Sequence, residues 1–152
     1  MFPSKIDEAA PVIARHSLLI DAPLDTLWRL HIGIDDWPTW QHAITTAHLN
    51  GPFAPGATFR WSTYGLDIGS TVYEVEPMAR TLWGGPSGGI VGIHQWTLTP
   101  LDSGVLVATE ESWSGDEVEA AITQLQPALD NSLTAWLTQL ADAARETPDR
   151  IS

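Results

Sequence analysis

The sequence predicts an α+β fold in which a seven-stranded antiparallel sheet curves around one long C-terminal helix. The chain has 152 residues, the usual size of one domain. Strand-like segments separated by turn residues fill its middle, and apolar residues with helical spacing fill its last third. An apolar sheet face and an apolar helix stripe must bury each other, so the sheet has to wrap around the helix.

The first third of the chain predicts one strand followed by two short helices. Residues 12–20 form an apolar, β-branched run, and Pro23 suits the first turn of the helix that follows. A second short helix is expected from residue 35 or 36, carrying Trp37 and Trp40. The apolar face of the first helix consists of Leu24, Leu27, Trp28 and His31.

The middle of the chain predicts six further strands in an antiparallel meander, because short apolar segments alternate with glycine, proline, aspartate and serine. The domain is expected to span residues 12–146, between a flexible N-terminal arm at 1–11 and a flexible tail at 147–152. The six expected strands are 44–49, 57–64, 67–76, 79–84, 90–99 and 104–113.

The last third predicts the long amphipathic helix. Ser114 and Glu117 have the spacing of a capping box, which would start the helix there. Pro127 predicts a kink or a break near Leu125, with an unbroken helix continuing to about Arg145. The expected apolar stripe is Val118, Ile122, Leu125, Leu129, Leu133, Trp136 and Leu140.

Composition narrows the class of function. Seven basic against nineteen acidic residues give a net charge of −12, which argues against nucleic acid as a partner. Zero cysteines exclude disulfides and thiolate metal sites, and we expect a cytoplasmic protein. No segment has the length of a membrane span or the pattern of a signal peptide. His42 and His48 match no known metal-ligand spacing, so we expect neither a metal nor a cofactor.

Several short sequence motifs occur in the same order as in one known family of proteins. They are residues 18–28, 37–40, 55–61, 72–77, 82–83, 95–98 and 104–105. Over residues 14–144 the chain resembles the polyketide cyclase/dehydrase group of the START-like (SRPBCC) superfamily. The resemblance implies a helix-grip fold with a deep cavity between the sheet and the C-terminal helix. Similar members bind lipids, hormones or aromatic polyketides, and some cyclise or dehydrate them.

Tryptophan dominates the aromatic residues, with eight Trp against three Phe and two Tyr. Because side chains alternate along a strand, His94 and the residues two and four positions after it share one face of their strand. We place this face inward. For residues 104–113 either face could point inward, and we choose the face of Trp113. The expected ligand-binding residues are Phe59, Trp61, Thr63, Trp83, Trp96, Leu98, Thr109, Trp113, Leu133 and Trp136.

Two polar residues on these inner faces are candidates for catalysis. Glu110 and Glu111 are adjacent on one strand and point to opposite faces, so they cannot act as a carboxylate pair. Burial of Glu111 beside tryptophans would raise its pKa and make it a proton carrier. His94 is the second candidate. Together they would serve aldol cyclisation or dehydration, although an inward histidine on a strand is more often a polar residue of the core, and Glu111 has the same alternative.

Three functions remain open from the sequence. The first is an enzyme of the cyclase, aromatase or dehydratase type that acts on an apolar small molecule. The second is a carrier that binds such a molecule, or a lipid, without changing it. The third is a structural or regulatory protein whose cavity is filled by its own tryptophans. The sequence does not decide whether the protein forms a homodimer.

Overall fold

The computed structural model describes residues 2–146. Its strands are β1 (Val12–Ile20), β2 (Ile44–Asn50), β3 (Thr58–Thr63), β4 (Leu66–Glu76), β5 (Arg80–Ser87), β6 (Ile90–Leu101) and β7 (Gly104–Ser114). Its helices are α1 (Leu24–Ile32), α2 (Trp37–Trp40), α3 (Asp116–Glu119) and α4 (Ile122–Glu146), and a 3-10 turn (Ile34–Asp36) precedes α2. Within residues 2–146, no helix combines the length and apolar character needed to cross a membrane.

The seven strands form one curved antiparallel sheet in the order β1-β7-β6-β5-β4-β3-β2. Each strand from β2 to β6 pairs with the next along the chain, and β1 pairs with β7. Helix α4 packs on the inner face, mainly along β1, where His16 Nε2 lies 2.7 Å from Asp130 Oδ1. This arrangement confirms the predicted α+β helix-grip fold.

The start of the C-terminal helical region differs from the prediction. Ser114 and Glu117 form no capping box, because β7 continues through Ser114. The N-cap residue of α3 is Gly115, which has a φ of 121° and provides no side-chain cap. The helical region is interrupted at residues 120–121, before the expected position at Leu125. Pro127 lies inside α4 near its N-terminal end, where it removes a single backbone hydrogen bond.

Most of the apolar stripe of the helical region is buried, but Ile122 is exposed and Leu125 is only half-buried. Val118 of α3 and the α4 residues Leu129, Leu133 and Leu140 lie in the core. Ile122 is 40% exposed, so its place in the stripe was wrong. It is the first residue of α4.

Strand β5 is longer than the expected 79–84 and includes Gly84, Gly85 and Pro86. The pairing of β4 with β5 stops at Gly84, whereas the pairing of β5 with β6 continues to Ser87. Beyond Gly84 one edge of β5 is therefore free, and a proline, which lacks an N–H, is tolerated at such an edge.

Residues near the N-terminus lie against the outer face of the sheet. Ile6 is buried, and the Asp7 amide donates to Ser112 Oγ at 2.9 Å. Arg80 Nη2 donates to the Ser4 carbonyl at 2.8 Å. The flexibility expected for residues 1–11 stays a prediction, and the expected tail at 147–152 lies outside the described residues.

Truncation of a core residue in α4 tests the contact between helix and sheet. We expect Leu133→Ala to lower the free energy of unfolding by about 2–5 kcal/mol, because it removes a fully buried side chain and leaves a cavity. Urea denaturation followed by circular dichroism measures the change. The exposed neighbour variant Thr134→Ala should change stability by less than about 0.5 kcal/mol. Equal effects of the two variants would contradict the helix orientation.

Candidate functional site

A cluster of aromatic rings occupies the interior between the sheet and α4. Trp37 lies at its centre, with ring centroids 5.6 Å from Phe59, 5.7 Å from Trp83 and 5.1 Å from Trp136. These separations are those of favourable aromatic packing. Side chains from the sheet, α2 and α4 thus meet in one place. We call Trp37, Phe59, Trp61, Trp83, Trp96 and Trp136 the aromatic cluster.

The aromatic cluster fills the space that the sequence analysis assigned to an open chamber. Trp83, Trp96 and Trp136 are buried in contact with neighbouring rings. Three surface clefts of about 460, 270 and 200 Å³ are lined by no member of this cluster. Side-chain alternation correctly placed Trp96 inside, and the helical stripe correctly placed Trp136 there, but neither pattern could predict that their rings would touch across the interior.

The two predicted catalytic residues lie side by side on paired strands. His94 on β6 is opposite Glu111 on β7, and His94 Nδ1 is 3.3 Å from Glu111 Oε1. The other ring nitrogen, Nε2, is 2.6 Å from Thr109 Oγ1. Trp113 Nε1 donates to Glu111 Oε2 at 2.9 Å. These four side chains form a continuous polar chain along the inner face, which also establishes that the Trp113 face of β7 points inward.

Gly92 makes room for this polar chain. A Cβ atom at that position would lie 3.4 Å from Glu111 Oε2 and 3.5 Å from Trp113 Cδ1. A longer side chain at Gly92 would occupy the place of the indole or of the carboxyl group. The sequence analysis missed Gly92, because the register that places it opposite Trp113 comes from the paired strands.

Burial shifts the proton affinities of both candidate residues. His94 is 2% exposed, and desolvation, assisted by the nearby His31, lowers its pKa well below the usual value. Desolvation raises the pKa of Glu111 to about 7, while the hydrogen bond from Trp113 opposes the shift. The Glu111 side chain is 16% exposed. Near neutral pH, a neutral imidazole therefore lies beside a carboxyl group that can both bind and release a proton.

A second buried histidine escaped the sequence analysis as a site residue. His31 Nε2 lies 2.7 Å from Thr81 Oγ1, and its ring centroid is 5.0 Å from that of Trp96. Burial lowers the pKa of His31 to about 3. Its position on the apolar face of α1 indicated burial, but the sequence contained no signal that it would approach His94.

The remaining predicted ligand-binding residues divide by exposure. Thr63 is buried, and its hydroxyl donates to the Ala43 carbonyl at 2.8 Å, which gives it a structural partner. Trp61 is half-buried and donates from Nε1 to Ser70 Oγ at 3.1 Å, and Trp113 is also half-buried. Phe59, Leu98, Thr109 and Leu133 are buried on the inner side of the structure.

Exposed apolar side chains lie at both ends of the sheet, with Leu18, Leu19 and Leu101 at one end and a second group at the other. Because neighbouring strands are antiparallel, the end of β3, the starts of β4 and β6 and the end of β7 lie at the same end of the sheet. Tyr64 there is 75% exposed and Leu66 is 55% exposed, and Val91 and Ile122 are also exposed. We call this end of the sheet, where Tyr64, Leu66, Val91 and Ile122 lie, the apolar end. Trp61 and Trp113 are each within a few residues of it along their strands.

Comparison with solved structures shows the same fold in distant proteins. The hypothetical protein jhp0584 from Helicobacter pylori is 21% identical with a TM-score of 0.82, and the match covers 95% of each chain. The di-domain ARO/CYC protein BexL from the BE-7585A biosynthetic pathway is 16% identical with a TM-score of 0.73, over 90% of this chain and 50% of BexL. The di-domain ARO/CYC protein StfQ from the steffimycin biosynthetic pathway is 13% identical with a TM-score of 0.72, over 89% of this chain and 51% of StfQ.

Sequence comparison identifies the family. No curated protein matches the chain significantly. A family model described as polyketide cyclase / dehydrase and lipid transport matches residues 11–145, nearly the whole chain. This match agrees with the helix-grip fold. The chain therefore belongs to the polyketide cyclase/dehydrase and lipid transport family.

Proposed function

We propose that the protein binds an aromatic or polyketide-like small molecule between the sheet and α4 and catalyses its cyclisation or dehydration by proton transfer. The observation that carries the proposal is the carboxyl group of Glu111, held beside the buried His94 under a layer of tryptophans. The fold shared with two ARO/CYC proteins of biosynthetic pathways supports the substrate class.

Glu111 is the proton carrier in this proposal. In dehydration of a β-hydroxy ketone, its carboxylate takes the proton from the carbon next to the carbonyl. The bond between the β-carbon and its hydroxyl then breaks, and the carboxylic acid returns the proton to the departing hydroxyl as water. In aldol cyclisation the same proton goes to the alkoxide that the new carbon–carbon bond creates. A pKa of about 7 supplies both forms of the carboxyl group.

His94 acts as a positioning residue. Both ring nitrogens are engaged, one with Thr109 and the other with Glu111, so neither is directed at a substrate. The imidazole fixes the orientation of the carboxyl group from behind. This assignment differs from the initial expectation that both residues exchange protons with the ligand, because that expectation could not include the contacts of the imidazole.

Entry of a ligand requires movement of aromatic side chains at the apolar end. Trp61 and Trp113 are the half-buried tryptophans near this edge, and each is held by one side-chain hydrogen bond. Their rotation would open a path to Glu111.

A carrier without catalysis is the second candidate. The buried rings of the aromatic cluster supply the apolar walls that a carrier needs, and the family description includes lipid transport. A carrier would use Glu111 and His94 only as polar anchors. Variants of Glu111 therefore distinguish the two functions.

Ligand binding should be visible in the intrinsic fluorescence. We expect emodin, an aromatic polyketide that absorbs in the visible range, to quench the tryptophan emission saturably because it comes to lie among the rings. Dodecanoic acid, tested by competition, measures the lipid alternative. A free tryptophan derivative at matched absorbance controls for light absorption by emodin. An absence of saturable quenching, together with no competition by either class, would refute small-molecule binding.

Loss of the Glu111 carboxyl group should abolish turnover while leaving affinity nearly unchanged. We expect Glu111→Gln to lower the rate at which 3-hydroxy-1-tetralone loses water to give 1-naphthol by about 10²- to 10⁴-fold. His94→Gln should shift the pH profile of the rate, since it alters the environment of the carboxyl group. Glu110→Gln, on the outer face of the same strand, is the control. A wild-type protein that binds the ketone without turnover is a carrier.

The proton affinity of Glu111 predicts a pH-dependent stability difference. The pKa of Glu111 is raised from 4.5 to about 7 in the folded state. Its contribution to the free energy of unfolding is therefore fully present below about pH 4.5 and is lost as pH rises to about 7. The wild type should therefore lose about 3 kcal/mol relative to Glu111→Gln across this window. Urea denaturation of both variants at several pH values measures the difference. A constant difference from pH 4.5 to 8 would show that the carboxyl group is not desolvated.

A further inference from the structure

Two buried hydrogen-bond donors flank His94 without a partner. The Nε1 atoms of Trp83 and Trp96 are buried and have no acceptor within residues 2–146. Their ring centroids lie 4.7 Å and 5.3 Å from that of His94. Buried donors almost always find an acceptor in folded proteins, because leaving one unpaired costs the free energy of its lost hydration. These two indoles therefore call for an explanation.

Other tryptophans of the interior are supplied with acceptors by the fold. Trp37 Nε1 donates to the His31 carbonyl at 3.0 Å, and Trp61 and Trp113 donate to side chains of β4 and β7. Trp40 Nε1 is also buried without an acceptor within residues 2–146, but its ring contacts Trp136. The two indole donors beside His94 thus have no acceptor within residues 2–146, whereas those of Trp37, Trp61 and Trp113 are paired.

We propose that Trp83 and Trp96 recognise oxygen atoms of the bound ligand by donating their Nε1–H groups to them. The inference rests on the proposed function, because it concerns the ligand that enters the same interior. An indole N–H is a donor only, so its partner must be an acceptor such as a carbonyl or hydroxyl oxygen. The rings of Phe59 and Trp136, which contact Trp83 and Trp96, carry no acceptor atom.

The surroundings also select an uncharged oxygen. His31 and His94 are the buried basic groups beside Trp96, and burial keeps both imidazoles neutral near pH 7. Glu111 is acidic and would repel an anion. A carboxylate in this place would be desolvated without a cationic partner, which is strongly unfavourable. The ligand class is therefore a planar ring system with keto or hydroxyl groups, and fatty acids are disfavoured.

A matched pair of ligands tests the inference. 2-Acetylnaphthalene and 2-ethylnaphthalene have nearly the same shape and differ by one carbonyl oxygen. We expect the ratio of the two Kd values, hydrocarbon over ketone, to fall about fivefold in Trp83→Phe and in Trp96→Phe, as for the loss of one hydrogen bond. The control Trp40→Phe removes an unpaired indole that does not contact His94, and the ratio should stay unchanged. Isothermal titration calorimetry measures all eight affinities.

Side-chain NMR of the wild type provides a second measurement that needs no folded variant. The ketone should move the indole N–H resonances of Trp83 and Trp96 downfield, and the hydrocarbon should not. An unchanged affinity ratio in both variants, or an equal fall in Trp40→Phe, would overturn the inference. If 2-ethylnaphthalene binds but the ketone shows no indole dependence, only this inference fails. If neither compound binds to the wild type, the proposed function fails as well.

Discussion

The contact of Trp136 with the sheet is the interaction on which the rest of the structure depends. This residue of α4 packs against Trp37, Trp61 and Trp96, and its ring centroid is 6.2 Å from that of His94. An isolated amphipathic helix and a sheet with one apolar face are each unstable in water, so each needs the other. Because the contacting residues are aromatic, a few large side chains bridge a wide gap, and the curved sheet can close around one helix.

The burial that stabilises this contact also creates the chemistry of the site. Burial shields the inner faces of β6 and β7 from water. A carboxyl group placed there becomes a weaker acid, and an imidazole placed there becomes a weaker base. Glu111 and His94 are adjacent through strand pairing, and Gly92 leaves the space in which Trp113 reaches the carboxyl group. Packing and reactivity therefore have the same physical origin in this protein.

Family membership and site geometry answer different questions. Proteins with identities of 13% to 21% share this fold, which shows how little sequence the scaffold requires. A fold of this kind hosts several activities, and the groups that project into the interior decide among them. Within residues 2–146 those groups are one carboxyl group of altered acidity, two neutral histidines and indole donors without protein partners.

Local pattern by itself determined the order of the elements and the inward faces of β3 and β6, because alternation and helical spacing depend on neighbours in the chain. It placed His94 and Trp96 inside correctly, and it failed at the Ser114 capping box, where strand pairing extended β7. Only the tertiary structure decided that the tryptophans fill the interior, that His31 approaches Trp96 and that both nitrogens of His94 are occupied. These features depend on distances between side chains far apart in sequence, which the register of paired strands and the position of α4 establish.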